Sequence, residues 1–173
     1  MTSSFKEERR ILAIDPGTKG FGFAVMEGPE RLVDWGVKGG KENKNSKSLE
    51  LVSGLISHYQ PDVVVVEDAD GPGSRPWERV REMIAGIQKL CVEKKIKVRS
   101  FSRSQVKEVF SGATAPNKHQ IASAICERLP ELAPHLPPLR KCWMSEDYRM
   151  SIFDAVSFAL TFFHSEEKRN GPS

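Results

Sequence analysis

Three carboxylates along this chain sit where a carboxylate is costly. Asp15 ends an apolar strand pattern in ILAIDPGTKG, Glu67 ends a second in DVVVVED, and Asp154 falls inside the apolar helix pattern MSIFDAVSFAL. An unpaired buried carboxylate is strongly disfavoured, so each needs a compensating partner. One hard divalent cation would serve all three. Such a cluster positions and activates a water against a phosphate, which makes metal-assisted phosphodiester hydrolysis the chemistry to look for.

Each residue has a plainer alternative. Asp15 before Pro16-Gly17-Thr18 also suits an Asx-type turn. Gly17, Gly20 and Gly22 leave backbone uncrowded there, so a phosphate chain has room to approach. Glu67 follows four valines, and ligands of open α/β sheets gather at the carboxyl ends of strands. If the first and fourth strands are parallel neighbours, their ends lie roughly 5 Å apart and Asp15 and Glu67 share one ion. Asp68 and Asp70 stand as substitutes for Glu67, which is otherwise a surface Glu. Asp is a poor residue for a helix interior, so Asp154 among Ile152, Phe153, Ala155 and Val156 needs a partner, unless it lies on a narrow solvent face. Asp147 is two turns earlier on that pattern, roughly 10 Å along the axis. It is a further metal ligand or an acidic first-turn residue that suits the helix dipole.

Cations near a scissile phosphate are the other requirement of such chemistry. Lys107 and Lys118 flank a turn around Gly112, though lysines on helices are usually solvated. Arg75, Arg79, Arg99 and Arg103 are candidates for a basic rim. Trp77, just past a Gly/Pro-rich loop, is a candidate base-stacking wedge, or else packs its own helix onto the sheet.

The elements that must position these groups follow from periodicity. Residues 10–15 read as a strand. Phe21, Phe23 and Val25 alternate with smaller residues as a second, and Leu32 to Val37 is a third, giving an antiparallel meander. Residues 39–48 read as a polar loop. Leu49, Val52, Leu55, Ile56 and Tyr59 fall at helical spacing up to Pro61. Val63 to Val66 is a continuous apolar run, as expected of a strand covered on both faces. A helix before it implies a right-handed crossover, hence a parallel neighbour. Val80 to Cys91 is a second amphipathic helix and Ile96 to Phe101 a fifth strand. Helices are expected over 104–110 and 117–129, a Pro-rich loop over 130–138, and a last helix over 146–164. The fold class is therefore α/β, a five-stranded mixed sheet ordered 3-2-1-4-5 with helices on both faces. Residues 1–9 and 165–173 read as disordered tails around one domain, 10–164.

Composition bounds the partners. With 173 residues, 39% apolar and 28% charged, the chain has length for one real core and the balance of a soluble globular protein. A net charge of +3 is permissive for nucleic acid without identifying it. Cys91, Cys126 and Cys142 form no CxxC pair and no zinc spacing with the histidines, and Cys91 and Cys126 lie on apolar stripes, as small core residues of a reducing compartment do. No apolar run approaches a membrane span and the first residues lack a signal-like apolar region. A cytoplasmic protein is expected.

Four segments together resemble one family. The first strand and hairpin ILAIDPGTKGFGFAV, the strand end VVVVE, the stretch SQVKEVFSGATAPNKHQIA and the helix FDAVSFAL, in this order, are similar to the RuvC-type Holliday-junction resolvases of the ribonuclease H-like superfamily. The likeness spans about Ile11 to His164. It implies a metal-dependent endonuclease with two Mg²⁺ ions, Mn²⁺ substituting, that cleaves branched DNA at four-way junctions as a homodimer. Carried over by position, Asp15, Glu67 and Asp154 are metal ligands and Lys107 and Lys118 phosphate-side cations. Arg75, Trp77 and Arg103 are candidates for DNA contact. Two positions depart from the pattern. Ser151 stands where the family has a second acid three residues before the last, with Asp147 as the compensating candidate. Ala69 and Asp70 stand where it has an aromatic, with Trp77 as the replacement. Three other readings stay open: a nuclease of structured RNA or other branched DNA, a branched-DNA binding module with weak catalysis, and an actin-like or sugar-kinase ATPase suggested by Asp-Pro-Gly-Thr. The last needs two such domains, for which the chain is too short. For the dimer, the expected contact is the helix spanning about Trp77 to Val92, through its apolar stripe and the small residues Ala85 and Gly86. The alternative is that the stripe covers only this chain's own sheet.

Overall fold

The computed structural model describes residues 9–17, 20–39, 45–112 and 114–171. Five strands form one mixed sheet: β1 (Arg10–Gly17), β2 (Gly20–Glu27), β3 (Leu32–Lys38), β4 (Val63–Glu67) and β5 (Lys97–Phe101). Their order is β3-β2-β1-β4-β5, with β1 central. The hairpins β1–β2 and β2–β3 are antiparallel, while β4 runs parallel to both β1 and β5. The expected topology is therefore found.

Period-two alternation sorts the strand residues between two cores. Ile11, Ala13, Ala24, Met26, Val63, Val65 and Phe101 face one side, under α3 (Arg103–Phe110), α4 (Lys118–Arg128) and α5 (Met150–Asn170). Leu12, Ile14, Val25, Val64 and Val66 face the other, under α1 (Asn45–Tyr59) and α2 (Glu78–Glu93). The unbroken apolar runs of β1 and β4 are explained by this double cover.

α5 is the central helix of its layer. Residues 152–162 are buried on every side, so the helix has no solvent stripe along that stretch. It can lie against β2 because residue 22 is glycine. A Cβ there would stand 2.3 Å from the Ser151 backbone carbonyl. Gly22 therefore admits a helix, not a phosphate chain. Gly20 likewise admits a close approach: its φ is +108°, and a Cβ would meet the Lys38 carbonyl at the end of β3 at 2.1 Å.

Several boundaries differ from expectation. α1 begins at Asn45, inside the expected polar loop, whose residues 40–44 lie outside the described ones. Pro130–His135 form a 3₁₀ helix inside the expected loop. α5 begins at Met150 instead of 146, because Asp147 Oδ1 accepts from the Arg149 backbone N–H and holds a turn there. It also continues to Asn170, where the sequence suggests a disordered tail from 165. Glu166 fixes this end, 3.0 Å from Arg99 and 3.4 Å from Arg9. Of the expected first tail, residues 1–8 lie outside the described residues.

Candidate functional site

The strand register brings the first two carboxylates together. Ile11, Leu12 and Ala13 of β1 pair with Val63, Val64 and Val65 of β4. The same offset, continued past the paired residues, sets Asp15 beside Glu67. Alternation then gives both side chains the face that carries Ala13 and Val65, which is the α5 face. On the other flank Asp15 is registered with Gly22, the residue that lets α5 approach. Asp154 lies three residues beyond Ser151, about one helical turn. All three carboxylates are buried.

They converge on one cation, the guanidinium of Arg103. Its Nε lies 2.5 Å from Glu67 Oε1, its Nη2 3.1 Å from Asp15 Oδ1, and its Nη1 3.3 Å from Asp154 Oδ1. The ring of Phe158 lies 4.9 Å from the guanidinium carbon. Glu67 pairs with Phe101 on β5, and the chain turns from Phe101 through Ser102 into α3. Ser102 caps that helix, accepting from the Gln105 N–H while the Gln105 side chain accepts from the Ser102 N–H. Arg103 is thereby the first residue of α3, beside Glu67. Ser74 of the β4–α2 loop accepts from its backbone N–H.

Lys118 closes another side. It is the first residue of α4, whose Asn117 cap and Gln120 complete a second reciprocal capping box. Its Nζ lies 3.2 Å from Asp154 Oδ2 and 3.2 Å from Glu146 Oε1. Burial acts to lower the Lys118 pKa, but Asp154, with Asp15 and Glu146, outweighs it, so the ammonium is held charged.

The electrostatics are lopsided. Burial, then the charge of Asp154, push the Asp15 carboxyl up to about 8, against the pull of Arg103 and Lys118. Burial is the larger influence, and the nearby guanidinium and ammonium do not offset it. The donors are hard oxygens on three different elements, which suits Mg²⁺ or a similar ion. As they stand they are not a cage: among the described residues no three His, Cys, Asp or Glu side chains are gathered closely enough to hold a metal. Arg103 takes that position.

The other expected site residues are placed as follows. Lys107 is exposed on α3, four residues and about one turn beyond Arg103. Arg75 and Trp77 are exposed where the β4–α2 loop enters α2, and Trp77, 79% exposed, does not pack onto the sheet. Asp147 is engaged by Arg149, 2.8 Å away. Asp68 accepts from the Asp70 N–H and Asp70 pairs with Arg81, so of these acids Glu67 is the one at the centre. Arg99 is spent on Glu166. Two features had no signal in the sequence. Arg103 reads as a rim residue, and Glu146 as the first residue of the last helix, with no role at the centre.

The apolar stripe of α2 does not await a partner. Met83, Ile84, Ile87 and Cys91 are buried in this chain's own core, and Gly86 admits Leu49 of α1. Ala85 and Val92 are the small and apolar residues left on the outer face.

Comparison with known proteins follows the same lines. A profile of the family described as crossover junction endodeoxyribonuclease RuvC matches residues 11–141. The crossover junction endodeoxyribonuclease RuvC of Prochlorococcus marinus (strain MIT 9312) is 29% identical over 165 residues, covering 91% of this chain and 98% of that protein. The structure of T. thermophilus RuvC in complex with Holliday junction substrate superposes with a TM-score of 0.64 at 18% identity, covering 92% of this chain and 96% of that one. The yeast mitochondrial Holliday junction resolvase Ydc2 gives 0.61 at 12% identity, covering 96% and 83%.

Proposed function

Since this chain belongs to the RuvC family of crossover junction endodeoxyribonucleases, we propose that it is an endonuclease of branched DNA that resolves four-way junctions. The observation that carries this reading is the convergence of Asp15, Glu67 and Asp154, from β1, β4 and α5, on a single cation. Mg²⁺ is the expected ion, held by these three carboxylates, with a second ion implied by the family resemblance and Mn²⁺ as a substitute. When bound, it supplies Lewis acidity that activates water and offsets charge on the phosphate.

The chain's own residues do the rest. Lys118, held charged by Asp154, stands at the N-terminus of α4 and presents its ammonium to a phosphate at the centre. Lys107 extends the cationic surface along α3. Arg75 contacts backbone phosphates, and Trp77 offers an exposed indole to a base unstacked at the branch point. Two incisions related by a dyad suit a homodimer, and we assign the contact to the outer face of α2, at Ala85 and Val92.

The test is cleavage of a labelled four-way junction, with duplex, flap and RNA controls, with and without Mg²⁺. Junction-selective, Mg²⁺-dependent incision is expected. Faster cleavage of flap or RNA would reassign the substrate. Junction binding without incision would make the protein a branched-DNA binding module. Ser151 is the feature favouring that outcome, since its hydroxyl donates to the Tyr148 carbonyl and supplies no fourth acid.

A further inference from the structure

Arg103 is not placed as a basic residue on a DNA-facing rim should be. Its fork reaches inward, one nitrogen to each of the three carboxylates, over the face of Phe158. We propose that Arg103 is the resident counter-cation of this centre, and that a divalent metal enters by displacing its guanidinium. The inference rests on reading Asp15, Glu67 and Asp154 as the metal ligands.

The first argument is competition for the same atoms. Arg103 is hydrogen-bonded or ion-paired to one oxygen on each carboxylate, so an ion bridging the three must take that space. Two cations packed side by side there would repel each other strongly in a buried setting. The second argument is that the side chain can leave without the helix. The Arg103 backbone is fixed by Ser74, the neighbouring Ser104 N–H donates to the Pro72 carbonyl, and the Ser102–Gln105 box closes the first turn. Its side chain is 23% exposed, so rotation toward solvent is open. The third is charge. A dication is attracted to each of these carboxylates about twice as strongly as a monocation in the same position, so it gains more there than Arg103 does. Without metal, Arg103 relieves the repulsion that would otherwise oppose folding: among the described residues no buried polar side-chain atom lacks a partner.

A merely structural salt bridge predicts the opposite sign for metal binding. Loss of a structural arginine loosens the carboxylates and weakens the site. Loss of a competitor tightens it. Binding of Mn²⁺ to the full chain, by titration calorimetry or the loss of free-ion EPR signal, separates the two. Wild type should bind Mn²⁺ and Asp154→Asn should not. Arg103→Gln should bind about tenfold tighter or better, and its metal-free melting temperature should fall and be restored by Mn²⁺. Arg103→Lys, a single-headed cation that cannot bridge all three acids, should be intermediate, and it stands in if the Gln variant does not fold. Asp154-dependent binding in wild type with equal or weaker binding in both Arg103 variants overturns the inference and leaves the metal site standing. Mn²⁺ binding that ignores Asp154 in every variant overturns the metal-site reading, and the inference with it.

Discussion

At the residue scale the centre is an exercise in buried charge. Asp15→Asn or Asp154→Asn keeps the shape of the side chain and leaves Arg103 with two acidic partners. Each variant should fold and bind a four-way junction, yet lose cleavage by at least about a hundredfold. Wild-type incision by Asp154→Asn in Mg²⁺ would refute the site. Asp147 is the companion case. The Arg149 side chain, by hydrogen bonding, holds its carboxyl below the usual Asp value, more than burial raises it. A depressed folded pKa stabilises the protein at pH values above the unfolded pKa. That contribution is lost as pH falls through the folded value. Asp147→Asn should therefore lower the melting temperature at pH 7, and its deficit should vanish in acid, while cleavage stays close to wild type. A loss as large as that of Asp15→Asn would make Asp147 a ligand. The three central acids were legible in the sequence because a carboxylate inside an apolar strand or helix pattern is anomalous. Arg103 was not, because nothing in Ser102-Arg103-Ser104-Gln105 tells an inward arginine from a solvated one. Its direction is set by the pairing of Phe101 with Glu67, a contact across 34 residues.

At the element scale, the sheet was readable because its two kinds of strand look different. β2 alternates, β4 does not, and the crossover rule then leaves few topologies. Helix ends were less readable, since they are fixed by distant partners: Glu166 with Arg99 extends α5, and the Asp147–Arg149 turn delays its start. The glycines test how closely these elements must fit. Gly22→Ala sets a methyl against the Ser151 backbone and should cost about 1–3 kcal/mol as overpacking. Because the same shift moves Asp154, cleavage should fall with it. A methyl added at Gly54 in α1 would meet nothing within 4 Å, so Gly54→Ala should instead stabilise by about 0.5–1 kcal/mol with cleavage unchanged. Thermal melts of the pair, read beside junction cleavage, check both signs. Equal effects from the two substitutions would show that the α5–β2 approach is not a constraint.

At the scale of the whole molecule, two symmetric incisions need two centres. Ala85 and Val92 are exposed on α2, so a change there tests the proposed dimer contact without disturbing the core. Ala85→Glu should give a folded monomer in sedimentation that nicks one strand of a junction and leaves it unresolved. Wild type sedimenting as a monomer at micromolar concentration, with resolution intact, would remove the dimer from the account. The helix expected for this role was legible, but its facing was not, because an apolar stripe looks the same whether it covers a partner or its own sheet. The position of α5 in the chain governs when the protein becomes competent. This helix touches all five strands, and it delivers the last acid of a centre whose other parts come from residues 15, 67, 103 and 118. A chain still emerging from the ribosome has formed no complete centre until residue 154 is out and the last helix has docked. On the proposed assignment of these acids, the power to cut DNA arrives only after the whole sheet is translated, and a half-made chain has none.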